Sequence, residues 1–162
     1  MIFKDEAVFE EAVIKLLKEK GWSHGVLRYK NEKDLIQNWA DILYQNNQGI
    51  TRLNGCPLTE GEMQQVLEQV NAARTPLKLN GLINGKTILI KRDNPDDQEN
   101  FGKEVSLKIY DRLEIAAGSS RYQIVQQPIF KGVKEEDRKN RGDLLLLING
   151  MPVIHIELKK DK

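Results

Sequence analysis

The chain has 162 residues, of which 40% are hydrophobic and 30% charged, a length and composition typical of one soluble globular domain. It contains only 12 glycines and 5 prolines, which excludes collagen-like and low-complexity proteins. Its 25 basic and 24 acidic residues nearly cancel. A nucleic acid would therefore have to be bound by a local arrangement of residues, since there is no global positive field to attract it.

The cysteine and histidine content limits the covalent and metal chemistry. Cys56 is the single cysteine and cannot form an internal disulfide, and two distant histidines do not provide the usual spacing of a structural zinc site.

The longest apolar run, Leu144 to Ile148, is far shorter than the roughly 20 residues that span a bilayer. The N-terminus does not resemble a signal peptide, so we expect a cytoplasmic protein.

A helix is predicted from Asp5 to Lys20, because apolar residues recur there at helical spacing and Gly21 follows. Glu6 and Glu10 fall on the apolar side of this helix. Glu6 lies in the first turn, where its negative charge interacts favourably with the helix dipole. Glu10 either borders the core or projects onto the sheet, where Glu10 or Glu6 could hold a metal-bound water or a second ion.

Two further helices and a change of period follow along the chain. One helix is predicted from Asp34 to about Gln45, and the next begins at a capping box formed by Thr59 and Glu62 and ends before Pro76. After that proline, alternating apolar residues predict mostly sheet. The strands are expected at 87–90, 105–109, 122–125, 143–148 and 153–159, with polar, mobile loops at 93–100 and 134–141.

The segment from Gly81 to Thr87 imitates a phosphate-binding loop, but three residues separate its glycines where that loop needs four. The residues after it read as a strand, so the helix N-terminus that would hold phosphates is missing. Asn84-Gly85 is more simply predicted to be a hairpin turn.

The stretch from Asp143 to Lys159 is the most informative, because it reads as a hairpin of two apolar strands around Asn149-Gly150. Glu157 and Lys159 share one face, since side chains two apart on a strand point the same way. With a strict two-residue turn Asp143 would pair with residue 156. One extra residue, in a bulge or a three-residue loop, would place it opposite Glu157.

In that bulged register the two carboxylates would lie about 5 Å apart and suit one hard divalent cation. The backbone carbonyl of Leu158 could supply a third ligand. Mg²⁺ there would activate water for phosphodiester hydrolysis, and Lys159 could orient that water or touch the phosphate. The alternative is a salt-bridged strand end in which Lys159 only neutralises Glu157 or Asp143.

The hairpin closely resembles the N-terminal nuclease domain of the restriction (R) subunit of type I restriction-modification enzymes, a PD-(D/E)xK nuclease. The resemblance lies in Asp143, the Asn-Gly-x-Pro turn at 149–152 and Glu157-Leu-Lys159. An opening helix that ends in Gly21-Trp22 and a Gln-bearing strand at 122–127 are also similar to that family.

The resemblance implies Mg²⁺-dependent cleavage of double-stranded DNA, with Asp143 and Glu157 as catalytic metal ligands, Lys159 as the catalytic lysine and Glu10 as the helix acid. Weak phosphate contacts are expected from Lys139, Arg141 and Lys160. Gly142 replaces the motif's proline, which shapes the backbone and binds no metal. His155 occupies a usually aliphatic position and is either a packed core histidine or a contact to the metal shell or to DNA.

We therefore expect an α+β, restriction-endonuclease-like domain over 1–162, with a mixed or largely antiparallel sheet flanked by helices and the first helix under the hairpin. The resemblance implies a fragment of a longer R subunit, weakly active or inactive alone. ATP would be used by motor domains outside it, and target recognition would belong to modification and specificity subunits. The rival hypotheses are another PD-(D/E)xK repair or junction nuclease and a non-catalytic docking domain.

Overall fold

The computed structural model describes residues 6–131 and 142–158, with Gly142 and Asp143 described by their backbone alone. The chain divides into two compact units, one formed by residues up to 35 and from 121, the other by residues 36–120. In chain order the described elements are α1 (Glu6–Glu19), β1 (Val26–Arg28), α2 (Glu32–Asn46), α3 (Glu60–Ala72), α4 (Pro76–Ile83), β2 (Thr87–Lys91), β3 (Glu104–Lys108), α5 (Arg112–Ala116), β4 (Tyr122–Gln126), β5 (Gly142–Ile148) and β6 (Met151–Leu158). These elements confirm the α+β class. The single domain over 1–162 stays a prediction.

The first unit is built on a four-stranded sheet in the order β1-β4-β5-β6. β1 runs parallel to β4, and the two pairs that follow are antiparallel, so the sheet is mixed, as expected. Ile14 of α1 packs with Leu144 and Leu146 of β5 and with Ile156 of β6. The first helix therefore covers one face of the β5–β6 hairpin, as the sequence predicted, and we call this side of the sheet the α1 face.

The opposite face of the same sheet carries a second apolar cluster. Val125 of β4 packs there with Leu145 and Leu147 of β5, and Leu27 and Leu35 lie against them. Since both faces are apolar at β5, that strand reads as a continuous apolar run.

The second unit contains α3, α4, α5 and the antiparallel pair β2–β3. The capping box at Thr59 is confirmed, because its side chain accepts from the Glu62 N–H and the Glu62 carboxylate accepts from the Thr59 N–H. α4 was not expected: Thr75 caps it and Pro76 occupies its first turn, where the missing N–H costs nothing. Asn84-Gly85 consequently ends a helix, and its prediction as a hairpin turn is wrong. The short elements β1 and α5 were also missed.

The loop at 93–100 is polar, as expected, but Asn94, Asp97 and Asn100 within it are buried. Arg92 and Asp97 are fully buried and form an ion pair with Nε to Oδ2 at 2.9 Å, while Glu62 pairs with Nη1 of the same arginine at 2.6 Å. The remaining Nη2 donates to backbone carbonyls of the second unit. Buried charges require such partners, and these contacts order the loop. The other predicted loop, 134–141, lies outside the described residues.

None of the described helices is long and apolar enough to cross a bilayer.

Candidate functional site

The turn of the β5–β6 hairpin is short and left-handed. Asn149 (φ 51°) and Gly150 (φ 85°) connect the strands, and Ile148 pairs directly with Met151. Two consecutive positive φ values are typical of the two-residue turn that Asn-Gly sequences favour. The side chain of Asn149 is 2% exposed, and its Oδ1 accepts from the Arg121 N–H at 2.9 Å. The turn is thereby tied to the residue before β4.

A bulge inside β6 changes the register beyond this turn. Leu147 pairs with Pro152, but Leu146 pairs with Ile154, so Val153 is an extra residue in β6. An inserted residue shifts every pair beyond it by one. Asp143 is therefore paired with Glu157. The sequence required one extra residue for this pairing, and the structure supplies it within the strand, next to a two-residue turn.

The register places the two acids at the end of the hairpin away from the turn. Ile156 and Leu158 pack in the cluster of the α1 face, so the intervening Glu157 belongs to the opposite face, where it is exposed. His155 is exposed as well. The alternative of a packed core histidine is therefore not supported.

Several predicted site residues lie outside the described part of the chain, and their roles stay predictions. They are Lys159, Lys160, Lys139, Arg141 and the side chain of Asp143. Where side chains are described, no group of three or more His, Cys, Asp or Glu residues could hold a metal ion. The structure thus brings together the backbone positions of Asp143 and Glu157. Leu158, whose backbone carbonyl is the predicted third ligand, follows Glu157 in the chain.

Glu10 is the helix acid that reaches the sheet. It is 1% exposed and accepts hydrogen bonds from the amides of Gln126 and Gln127, the latter with Nε2 to Oε2 at 3.2 Å. Glu6, one turn earlier, is only half-buried. A buried carboxylate is costly without donors, and the two glutamines provide them. Glu10 is therefore part of the buried α1–sheet contact, not a residue at its border.

A second layer of contacts surrounds this carboxylate. Gln126 Oε1 accepts from the Arg28 guanidinium, which also pairs with Glu11 at 2.7 Å. Gln126 Nε2 lies 3.2 Å from Glu11 Oε1. α1, β1 and β4 are joined by this group of polar side chains. The family resemblance indicates the Gln-bearing strand. A further signal for this cluster in the sequence is the pair of adjacent amides before Pro128, at a strand end.

The strands β1 and β4 bend together beside this cluster. Tyr29 (φ 54°) and Gln127 (φ 49°) directly follow the paired residues Arg28 and Gln126, and both adopt left-handed backbone. The Tyr29 N–H donates to the Gln126 carbonyl at 3.0 Å. The two segments pair again at a parallel bridge between Asn31 and Ile129. Left-handed backbone costs a non-glycine residue about 1–2 kcal/mol, so this double bend has to be held by other contacts.

Comparison with known proteins assigns the family. The model of the family described as the type I restriction enzyme R protein N terminus matches residues 3–162. A type I restriction enzyme endonuclease subunit of Staphylococcus saprophyticus is 31% identical over 161 residues, which cover 99% of this chain and 15% of that protein.

Endonuclease subunits of type I restriction enzymes from two Staphylococcus aureus strains, MSSA476 and COL, are each 28% identical over 165 residues, with the same coverage of 99% and 15%. The chain thus spans about 15% of the length of the curated relatives it matches. With a family match over almost its whole length, the chain belongs to the family of type I restriction enzyme R protein N-terminal domains.

Proposed function

We propose that this chain is the nuclease domain of a type I restriction enzyme R subunit and that it hydrolyses phosphodiesters of double-stranded DNA with Mg²⁺. Membership of the family supports a restriction nuclease role. The single observation that carries the catalytic detail is the bulge at Val153, because it brings Asp143 opposite Glu157. Without that extra residue the ladder would pair Asp143 with an apolar position.

The donor set suits a hard divalent cation. Residues directly opposite on neighbouring strands have Cβ atoms about 4.5–5.5 Å apart, close enough for two carboxylates to share one ion. Asp143, Glu157 and the Leu158 carbonyl would offer oxygen ligands alone, which Mg²⁺ prefers. When bound, Mg²⁺ would offset negative charge on the phosphodiester and favour deprotonation of the attacking water.

The remaining roles follow from position in the sequence. Lys159 lies two residues after Glu157, on the same strand face if β6 continues, where its ammonium would orient the attacking water or contact the phosphate. Lys139, Arg141 and Lys160 would contact DNA phosphates. A formal net charge of +1 supports weak DNA affinity of this chain by itself.

The other activities of a type I enzyme are proposed to lie outside these residues. Since the chain spans 15% of its relatives' length, we assign ATP use to motor domains outside it and target recognition to modification and specificity subunits. The isolated domain is then expected to cut poorly or not at all. DNA as the substrate fits a cytoplasmic location.

The test is DNA cleavage by the intact R subunit, assembled with its partner subunits, carrying Asp143→Ala, Glu157→Ala or Lys159→Ala. Each change should abolish DNA cleavage and leave ATP turnover unchanged, because it alters the proposed site of phosphodiester hydrolysis and not the site of ATP hydrolysis. Glu104→Ala, an exposed acid of β3, is the matched control and should cleave like the unaltered enzyme. Full cleavage by all three variants would instead favour a non-catalytic docking domain.

A further inference from the structure

Strand β4 stops pairing with β5 one position short of Asp143, the proposed metal ligand. The β4–β5 ladder ends at the pair Gln126 and Leu144, and Gly142 and Asp143 pair with β6. Had β4 continued by one regular residue, Gln127 would lie opposite Asp143. The left-handed backbone of Gln127 prevents this, and Pro128 cannot donate a further ladder hydrogen bond. Among the described residues, Asp143 therefore has no ladder partner on the β4 side of the sheet.

The side chain of Gln127 holds the left-handed backbone at this residue through a contact with α1. By regular alternation Gln127 would share the face of Val125, yet its amide lies 3.2 Å and 3.4 Å from the two carboxylate oxygens of Glu10, which belongs to the helix on the α1 face. The carboxylate is 1% exposed, so water does not compete with this contact. The Glu10–Gln127 contact thus fixes the residue with the left-handed backbone.

We infer that Gln127 is a positioning residue for the proposed nuclease site: held by Glu10, it keeps β4 bent away from Asp143 and so sets the opening in which metal and phosphate bind. This inference rests on the proposed function. It gives Glu10 a role through Gln127 in place of a direct metal contact. Changing a residue that hydrogen-bonds a metal ligand lowers metal affinity or activity about 10–100-fold. Because Gln127 would act through the backbone of β4, we expect an effect at the lower end of this range.

The experiment measures Mn²⁺ binding to the intact R subunit without nucleotide or DNA, from the electron paramagnetic resonance signal of free Mn²⁺. The Asp143→Ala variant defines binding elsewhere in the protein. Gln127→Ala should weaken the Asp143-dependent binding about 10-fold, and DNA cleavage should slow in parallel. The control Gln64→Ala removes another Gln–Glu hydrogen bond, the exposed one to Glu68 at 3.2 Å, and should change neither measurement.

The exchanged pair Glu10→Gln with Gln127→Glu separates positioning from direct metal contact. The glutamine at position 10 can donate to the new carboxylate and accept from Gln126, so the hydrogen bond is kept while the negative charge moves. Binding and cleavage should recover to near the unaltered values. Because the contact is preserved, this variant also remains informative if Gln127→Ala unfolds.

Two results would overturn the inference: Mn²⁺ affinity unchanged by Gln127→Ala, or an exchanged pair that stays as impaired as Gln127→Ala. The second would mean that Glu10 acts by its own charge. If Asp143→Ala is inactive while Gln127→Ala behaves like the unaltered enzyme, the positioning role fails and the proposed function stands. If Asp143→Ala itself binds Mn²⁺ and cleaves normally, the proposed function fails too.

Discussion

Asp143 and Glu157 are paired across β5 and β6 because Val153 is accommodated as an extra residue in β6. Neither the turn nor the strand lengths alone would produce this pairing. The bulge lies between the Asn-Gly turn and the acids, so it leaves the turn regular and changes only the register beyond it.

The first prediction concerns Glu157, the proposed metal ligand whose side chain is described. Glu157→Gln keeps the size and hydrogen-bonding shape of the side chain but removes its charge. We expect Mn²⁺ affinity of the intact subunit to fall by at least about 10-fold, because a hard cation binds a neutral amide less well than a carboxylate. Isothermal titration calorimetry measures this, with the exposed Glu104→Gln as a control. Equal affinities in both variants would remove Glu157 from the site.

The second prediction concerns the hairpin turn. Asn149→Gly keeps the positive φ that this position requires, yet it removes the buried Oδ1 that accepts from the Arg121 N–H. The cost should be about 0.5–1.5 kcal/mol in the free energy of unfolding, because a part-buried hydrogen bond is lost. Urea unfolding measures it. A neutral or stabilising effect would show that the turn geometry alone decides the choice of residue.

The third prediction concerns the buried arginine of the second unit. Arg92→Ala leaves Glu62 and Asp97 buried without their cation and should cost about 3–5 kcal/mol in the free energy of unfolding. Lys103→Ala breaks an exposed pair with Glu99 at 3.6 Å and should cost less than about 1 kcal/mol. Similar losses for the two variants in urea unfolding would contradict a structural role of the buried ions.

The fourth prediction concerns pH. Burial raises the pKa of Asp97, but hydrogen bonds from Asn54, Arg92 and Asn100 outweigh it, and the pKa lies below its ordinary value of 3.8. The unfolded chain then binds this proton more readily than the folded chain. The stabilisation is present above pH 3.8 and is lost as pH falls through the folded-state pKa.

The folded chain should therefore lose stability steeply below about pH 4. In Asp97→Asn, which cannot titrate at this position, the slope of unfolding free energy against pH should be shallower in that range. Urea unfolding at a series of pH values provides the comparison. The same slope in both proteins would show that other carboxylates dominate acid unfolding.

Local patterns were sufficient for most of the regular elements. Helical spacing located α1, and the capping box at Thr59 located the start of α3. Each of these signals is formed by residues a few positions apart in the chain. α4 was missed because its apolar residues follow a proline that also fits a strand boundary. β1 has three residues and acquires its stability from pairing with β4, far along the chain.

The sequence by itself determined the family and the α+β class and provided a short list of candidate acids, since motifs and periodicity depend on residue type and spacing. The tertiary structure decided which register the hairpin adopts and which helix acid is buried. Both depend on long-range contacts: a bulge is stable only against its partner strand, and Glu10 is tolerated in the interior only because Gln126 and Gln127, over a hundred residues later, donate to it. Glu10 and its partners lie too far apart in the chain for a local pattern to predict that they meet.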